Sequence, residues 1–261
     1  MGDPSIPPNA DEIEAAVDEA LHGLELEPGE TAAILGFANE ELSHLQTPET
    51  TYFVLGSYRD PYLRRLRTVE NELNKRLGAY AFVMGDLREI GLDRLPEFRL
   101  RFHLLASYAD YLVGVYEQDA GGEVTELGKV SETPYFDKSY ALPRDYCWMT
   151  GKNFDGKPDV VAAGMDIYYN GDLSEEEKED RLESLVADAR ESGIEISTEE
   201  LTDATEERED EDTVSYSWVH LNEFRLFELH DRCQPWVEES ELRDSVDIVP
   251  APSNHPEWET N

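Results

Sequence analysis

Apolar residues repeat along the chain with two periods, and their alternation predicts strands joined by helices. Short apolar runs stand at TYFVLG (51–56), AYAFVMGD (79–86) and DYLVGVYE (110–117). Between them, the segments 60–78 and 96–109 carry apolar residues three and four positions apart, as amphipathic helices do. Strands that alternate with helices of this length predict βαβ units, and therefore a mostly parallel central sheet flanked by helices.

Helical segments are predicted on both sides of this α/β region. Residues 1–48 are predicted to be a helical lead-in, with helical spacing in 11–24 and again in 29–45. Residues 49–172 form the α/β core, in which 139–146 and 160–169 are two further strand candidates. Residues 173–261 form a helical acidic part packed on the core. It contains a helix at 174–193, an acidic surface insertion at 199–213 and a closing helix at 215–236 that Pro235 ends.

The charge balance is strongly negative. There are 59 Asp and Glu residues against 22 Lys and Arg, for a net charge of −37. This balance is typical of proteins that work in concentrated salt, where screening relieves self-repulsion, and we expect a halophile's cytoplasm. Aromatic residues make up 10% of the chain, which favours a folded protein over a disordered acidic one.

The same features narrow the classes of partner. Without a basic face over most of its length, the chain is not expected to bind duplex nucleic acid. It has neither a long apolar run nor a signal sequence at its start, so we expect no membrane partner and a cytoplasmic location. A homo-oligomer or a protein partner is left open.

Positive charge is concentrated between positions 59 and 101. One interpretation is that Arg59, at the end of the first strand, binds a phosphate or carboxylate group. The other is that Arg64 and Arg67 form surface pairs with Glu70 along the helix. Both interpretations remain open from the sequence.

Ligands of parallel sheets bind beyond the carboxyl ends of the strands, so the residues there are the candidates for a site. Glycine at such an end allows close approach, and a helix N-terminus offers unpaired N–H groups. The candidates are Gly56, Ser57, Tyr58, Arg59 and Asp60 after the first strand, Asp86 after the second, and Gly121, Gly122, Glu123 and Glu126 after the third.

Three short motifs carry a family resemblance. GSYR (56–59), MGD (84–86) and TELG (125–128), each after a predicted strand, resemble the nucleoside 2-deoxyribosyltransferases and the TIR-like NAD-cleaving domains. The resemblance covers about residues 51 to 170. It implies a deoxyribosyltransferase-like or flavodoxin-like fold and cleavage or transfer of the N-glycosidic bond of a nucleoside, a nucleotide or NAD.

The resemblance also implies roles for particular residues. Glu126 matches the family's carboxylate nucleophile, and Glu123 competes for that role. A carboxylate suits attack on an anomeric carbon because it stabilises an oxocarbenium-like transition state. Asp86 or Asp60 would then protonate the leaving base, and Tyr58 would stack on it or bond the sugar.

Other interpretations compete with this one. Glu126 also fits a simple helix-start glutamate favoured by the helix dipole, and the same fold could serve as a non-catalytic nucleotide-binding or protein-interaction module. His220, His230 and Cys233 lack a fourth ligand at usable spacing, so we expect no metal and no cofactor. His103, on the apolar side of its helix, is expected to be a hydrogen-bonded, half-buried histidine.

Overall fold

Four parallel strands form the central sheet. In the computed structural model they are β1 (Thr50–Leu55), β2 (Ala79–Val83), β3 (Tyr111–Tyr116) and β4 (Ser139–Pro143), in the order β2-β1-β3-β4. The chain therefore starts in the middle of the sheet, adds β2 on one side and then crosses β1 to add β3 on the other. The predicted α/β class with a parallel sheet is confirmed.

The structure describes residues 26–42, 48–59, 62–92, 97–117, 122–132, 134–144, 158–168, 172–199, 201 and 221–253. Several predicted features lie outside these residues: the helix within 11–24, most of the acidic segment 199–213, and two of the candidate site residues, Asp60 and Gly121.

Helices cover both faces of the sheet. They are α1 (Pro28–Glu40), α2 (Tyr62–Asn74), α3 (Glu97–Tyr108), α4 (Gly122–Val130), α5 (Pro158–Tyr168), α6 (Glu175–Glu191), α7 (Leu221–Glu228) and α8 (Glu239–Ser245). Buried side chains of α1, α3, α4 and α7 share one core cluster, whereas those of α2 and α8 share another. Among the described helices, none combines the length and the apolar composition needed to cross a membrane.

The sequence explains this layering. Every residue of β1 is buried, because the strand lies between two others and is covered on both faces, as the continuous apolar run TYFVL requires. Helix α2 turns an apolar stripe of Tyr62, Leu66, Val69 and Leu73 toward the sheet, at the three- and four-residue spacing of one helical face.

The strand predicted at 160–169 is wrong, since residues 160–168 belong to helix α5 and residue 169 lies outside the described residues. Pro158 stands at the start of the helix, where its missing N–H costs nothing. Val160, Gly164 and Ile167 then share one face of the helix, which packs in a small cluster with Leu201. A Cβ atom on Gly164 would lie 2.7 Å from Leu201 Cδ1, so the glycine permits this close packing.

The closing helix predicted at 215–236 is wrong in extent. Helix α7 ends at Glu228, and Asp231 adopts a positive φ of 54° in the turn that follows. The chain then runs beside β4, with parallel bridges from Ala141 to Cys233 and from Arg144 to Trp236. Residues 233–236 thus cover the β4 edge of the sheet, and Pro235 lies in this extended segment.

An ion cluster is buried beyond the ends of β3 and β4. Arg65 of α2 donates to Glu117 (Nε–Oε1, 2.8 Å) and to Asp166 of α5 (Nη1–Oδ2, 3.0 Å), and Arg144 donates to Asp166 (Nη2–Oδ1, 2.8 Å). The ring of Trp236 lies 5.1 Å from the guanidinium carbon of Arg144. We call these four charged residues the arginine cluster; it joins α2, both strand ends and α5.

We expect Arg65→Leu to lower the free energy of unfolding by roughly 3–5 kcal/mol, because it leaves the buried Glu117 and the partly exposed Asp166 without one of their two cations. Arg64→Leu is the matched control on the same helix. Arg64 is 67% exposed and pairs with Glu239 at 2.9 Å, so its loss should cost about 1 kcal/mol or less. Urea unfolding of both variants measures the difference, and equal losses would contradict the structural role of the cluster.

Candidate functional site

The carboxyl ends of β1 and β3 meet where the strand order reverses, which is where ligands bind in open α/β sheets. Gly56 follows β1 and Glu117 follows β3. Helix α4 begins near this edge and carries Glu126 in its second turn. The edge therefore brings together side chains from both sides of the reversal.

Gly56 has a backbone conformation that other residues rarely adopt, with a φ of 146°. A Cβ atom at this position would lie 2.6 Å from the Val115 carbonyl oxygen and 2.8 Å from Leu66 Cδ2. The position therefore requires glycine. The Gly56 backbone donates a hydrogen bond to the Glu126 side chain.

Glu126 is a buried carboxyl group with one unsatisfied oxygen. The residue is 3% exposed, and within the described part of the chain its Oε2 atom has no hydrogen-bond partner. Burial raises the pKa of Glu126 to about 8, and the hydrogen bond from Gly56 opposes this only partly. At neutral pH the group is therefore mostly protonated and can donate a hydrogen bond from an otherwise unused atom.

A cavity of about 130 Å³ lies between α3 and α4, and Glu126 forms part of its wall. The wall surface that faces the cavity is almost entirely apolar even though charged residues contribute to the lining, and the carboxyl group is accordingly desolvated. The volume corresponds to a few water molecules or one small ring, below the size usual for complete ligand sites. The residues that line it are Phe98, Arg99, Phe102, His103, Thr125, Glu126 and Lys129.

The contribution of α3 to this cavity was not predicted from the sequence. Phe98 and Phe102 are four residues apart in the predicted helix, a spacing that indicates one face, but the strand-end rule does not select residues on a helix face. His103 is more deeply buried than expected, at 1% exposure, and its Nδ1 lies 2.8 Å from the Tyr135 hydroxyl. The predicted structural role of this histidine fits that contact.

Tyr58 and Arg59 stand at the open side of the edge. The Tyr58 hydroxyl accepts a hydrogen bond from the Gly85 N–H at 3.3 Å, which links the ends of β1 and β2. Burial of the hydroxyl and the nearby Glu126 raise the pKa of Tyr58, so it remains neutral. Arg59 and Tyr58 are exposed, Ser57 is half-buried, and Arg59 has no ion-pair partner among the described residues.

Asp86 does not fit the proton-donor role expected from the sequence. Both of its oxygens accept hydrogen bonds from Arg67, at 2.6 and 2.7 Å, and this pairing lowers the pKa of Asp86. The group is therefore held as the anion. Arg67 also pairs with Glu70 at 2.7 Å, as the surface-pair interpretation predicted, whereas Arg64 pairs with Glu239 instead.

The remaining candidates lie on α4 or beyond the described residues. Gly122 and Glu123 occupy the first turn of α4, so the predicted glycine turn opens directly into the helix. Within the described ranges, no three His, Cys, Asp or Glu side chains are grouped to hold a metal ion, and His230 and Cys233 both follow the end of α7.

Comparisons with known proteins identify a family and no characterised relative. A family model, described as a family of unknown function (DUF8170), matches residues 1–261. The chain therefore belongs to this family. Neither the curated proteins nor the solved structures gave a match to it.

Glu126→Gln should make folding stability less dependent on pH. Between an unfolded pKa near 4.5 and a folded pKa of about 8, only the folded wild type keeps this proton, so its stability falls as pH rises through that window. The variant lacks this loss, and its advantage over the wild type should grow to a few kcal/mol, on the order of 1.4 kcal/mol for each pH unit.

Urea unfolding at several pH values between 5 and 8 measures this effect. Glu132→Gln is the matched control, because Glu132 is exposed just after α4 and should show no such trend. An advantage of Glu126→Gln that stays constant with pH would contradict a protonated Glu126.

Proposed function

We propose that this chain binds a nucleoside or nucleotide, including NAD, at the β1–β3 edge and cleaves or transfers its N-glycosidic bond, with Glu126 as the reacting carboxyl group. The observation that carries the proposal is a buried, mostly protonated Glu126 that borders a small cavity and whose Oε2 has no hydrogen-bond partner among the described residues. Strongly perturbed carboxyl groups beside cavities are typical of catalytic sites.

The surroundings of Glu126 support the ligand class. The cavity has room for one small ring, and the exposed ring of Tyr58 offers a stacking surface at the mouth of the edge. Arg59, exposed and without an ion-pair partner in the described part of the chain, offers a cation for a phosphate group. The strand order, with its reversal between β1 and β3, agrees with the fold that the motifs GSYR, MGD and TELG resemble.

The protonation state of Glu126 favours a role as proton donor. With a pKa of about 8, only about a tenth of the molecules carry the anion at pH 7, which disfavours direct attack on the sugar. The neutral carboxyl group instead supplies the acid that Asp86 cannot, since Asp86 is held ionised by Arg67. This assignment replaces the nucleophile role expected from the sequence.

In the proposed reaction, proton transfer from Glu126 accompanies cleavage of the glycosidic bond. Glu126 Oε2 transfers its proton to the leaving base as the bond between the anomeric carbon and nitrogen breaks, and the bonding electrons leave with the base. Water, or an acceptor nucleophile in a transfer reaction, bonds to the anomeric carbon. The proton lost by the attacking group returns Glu126 to its neutral form.

The alternative is a non-catalytic nucleotide-binding or protein-interaction module. The hydrogen bond from Gly56 to Glu126 favours it, because that contact holds the β1 end against α4 without requiring any reaction. Binding without turnover is the outcome that would select this alternative.

We further propose that the protein works in concentrated salt inside the cell. The supporting observation is the excess of 59 acidic over 22 basic residues, whose mutual repulsion salt would screen. Assays of the proposed function therefore belong in concentrated potassium chloride.

The test is a mass-spectrometric search for released base after incubation with NAD, nucleosides and nucleoside monophosphates. We expect release by the wild type and by Glu132→Gln, and a loss of at least about a hundredfold in Glu126→Gln, the usual scale of general acid catalysis. Absence of release from every compound, or full activity in Glu126→Gln, would overturn the catalytic proposal.

The pH dependence of the rate at saturating substrate separates the two roles of Glu126. As the acid, it should support a rate that falls as pH rises above about 8, because the proton is lost there. As a nucleophile, it would give a rate that rises toward about the same pH. A rising profile would restore the nucleophile assignment.

A further inference from the structure

The arginine cluster lies on the opposite face of the sheet from the Glu126 cavity. Arg65 comes from α2 and Trp236 from the segment beside β4, both on the α2 side, whereas Glu126 comes from α4 on the other side. The cluster nevertheless lies at the same carboxyl edge, because Glu117 follows β3 and Arg144 follows β4. It is therefore a second polar site at the edge where ligands bind.

Two guanidinium groups in this cluster hold one carboxylate that comes from outside the sheet. Asp166 accepts from Arg65 Nη1 at 3.2 Å (Oδ1) and 3.0 Å (Oδ2), and its Oδ1 also accepts from Arg144 Nη2 at 2.8 Å. The side chains of the two arginines are 1% and 2% exposed, whereas that of Asp166 is 23% exposed. The carboxylate thus reaches the paired arginines from the solvent side.

The other members of the cluster hold the arginines in place. Glu117 accepts from Arg65 Nε at 2.8 Å and lies 3.5 Å from Arg144 Nη1, so it fixes the orientation of both guanidinium planes. Trp236 lies against both groups, with its ring centre 5.1 and 5.9 Å from their central carbons. Glu117 and Trp236 therefore hold the two guanidinium groups in place independently of Asp166.

The helix that carries Asp166 packs mainly elsewhere. Apolar side chains of α5 join those of α6 in a small cluster with Ile196, Leu201 and Val237, separate from the two core clusters that cover the sheet. The contact of Asp166 with the arginines is therefore polar, partly exposed and made from an element with its own core. Another anion could therefore replace Asp166 at the arginines without unfolding the sheet.

We propose that Arg65 and Arg144 form a binding site for a phosphate group, free or esterified, and that Asp166 is its intramolecular competitor. Two converging guanidinium groups suit a tetrahedral oxyanion, because Arg144 can donate a parallel pair of hydrogen bonds from its Nη atoms, while Arg65, whose Nε and Nη2 hold Glu117, donates from Nη1. A phosphate group that displaces the Asp166 carboxylate takes its place as the second anion held by the two arginines, and it carries more negative charge than the carboxylate. This site is independent of the reaction proposed for Glu126.

The test is isothermal titration with inorganic phosphate and with a phosphate monoester, at constant ionic strength, on the full chain. We expect saturable binding by the wild type and binding at least about tenfold tighter by Asp166→Asn, which removes the competing charge while keeping the side-chain shape. Asp180→Asn on α6 is the matched control, because Asp180 is exposed and makes the same change in net charge.

The outcomes separate the proposal from its rivals. Replacing Arg144 by Lys in the Asp166→Asn background should return phosphate binding to the wild-type level or below, since lysine cannot make the parallel pair of bonds. Far-UV circular dichroism verifies that the variants fold. No saturable binding by the wild type, or equal affinities of Asp166→Asn and Asp180→Asn, would overturn the proposal, whatever the activity of Glu126. Tighter binding of the monoester than of free phosphate would identify the ligand as a phosphate ester.

Discussion

A carboxyl group taken away from water must either pair with a cation or keep its proton, and this constraint organises the carboxyl edge of the sheet. Glu117, at the end of β3, takes the first solution through Arg65 and Arg144. Glu126, on the other face of the sheet, instead keeps its proton, with a pKa of about 8. One face of the edge is therefore an ion cluster and the other a neutral acid.

The same constraint explains where this acidic protein places its scarce cations. Several arginines between positions 59 and 101 are interior or partly buried groups that hold the backbone. Arg76 donates to the Val246 and Val249 carbonyl groups at 2.8 Å each, and Arg101 donates to those of Met84 and Leu87 at 2.7 and 2.6 Å. Buried pairs of this kind are little screened by salt, unlike surface ion pairs. The basic segment therefore serves largely to join α2 and α3 to the rest of the fold.

The parallel sheet could be predicted because its strands are continuous apolar runs between amphipathic helices, and this pattern has few other solutions. The helix at 160–168 could not be predicted, because the sequence VVAAGMDIYY is apolar enough for a buried strand. The packing of Gly164 on Leu201, which the helix makes possible, is a tertiary contact that the local sequence does not reveal. The turn after Glu228 was missed for a related reason. The apolar spacing of Trp218, Phe224 and Phe227 continues a helical pattern, whereas the pairing of residues 233–236 with β4 depends on the rest of the sheet.

Within the site, the strand-end rule located Gly56, Tyr58 and Glu126, but it could not decide how the charges pair. Arg65 shares the apolar stripe of Tyr62 and Leu66, and an arginine in such a stripe indicates a buried partner. Which carboxylate it meets depends on the ends of β3 and β4. The ionised state of Asp86 likewise follows from Arg67, which lies on the preceding helix and reaches across to the end of β2.

The positions of the arginines also affect the protonation state of Glu126. Burial raises the pKa of Glu126 and one backbone N–H opposes this only partly; although Arg99 and Lys129 line the same cavity, no ion pair with Glu126 is formed among the described residues. A ligand with positive charge in the cavity would supply the missing cation and lower the pKa of Glu126, whereas a neutral ring would leave its proton in place. In the function that we propose, the charge of the bound group would therefore decide whether Glu126 acts as an acid or as an anion.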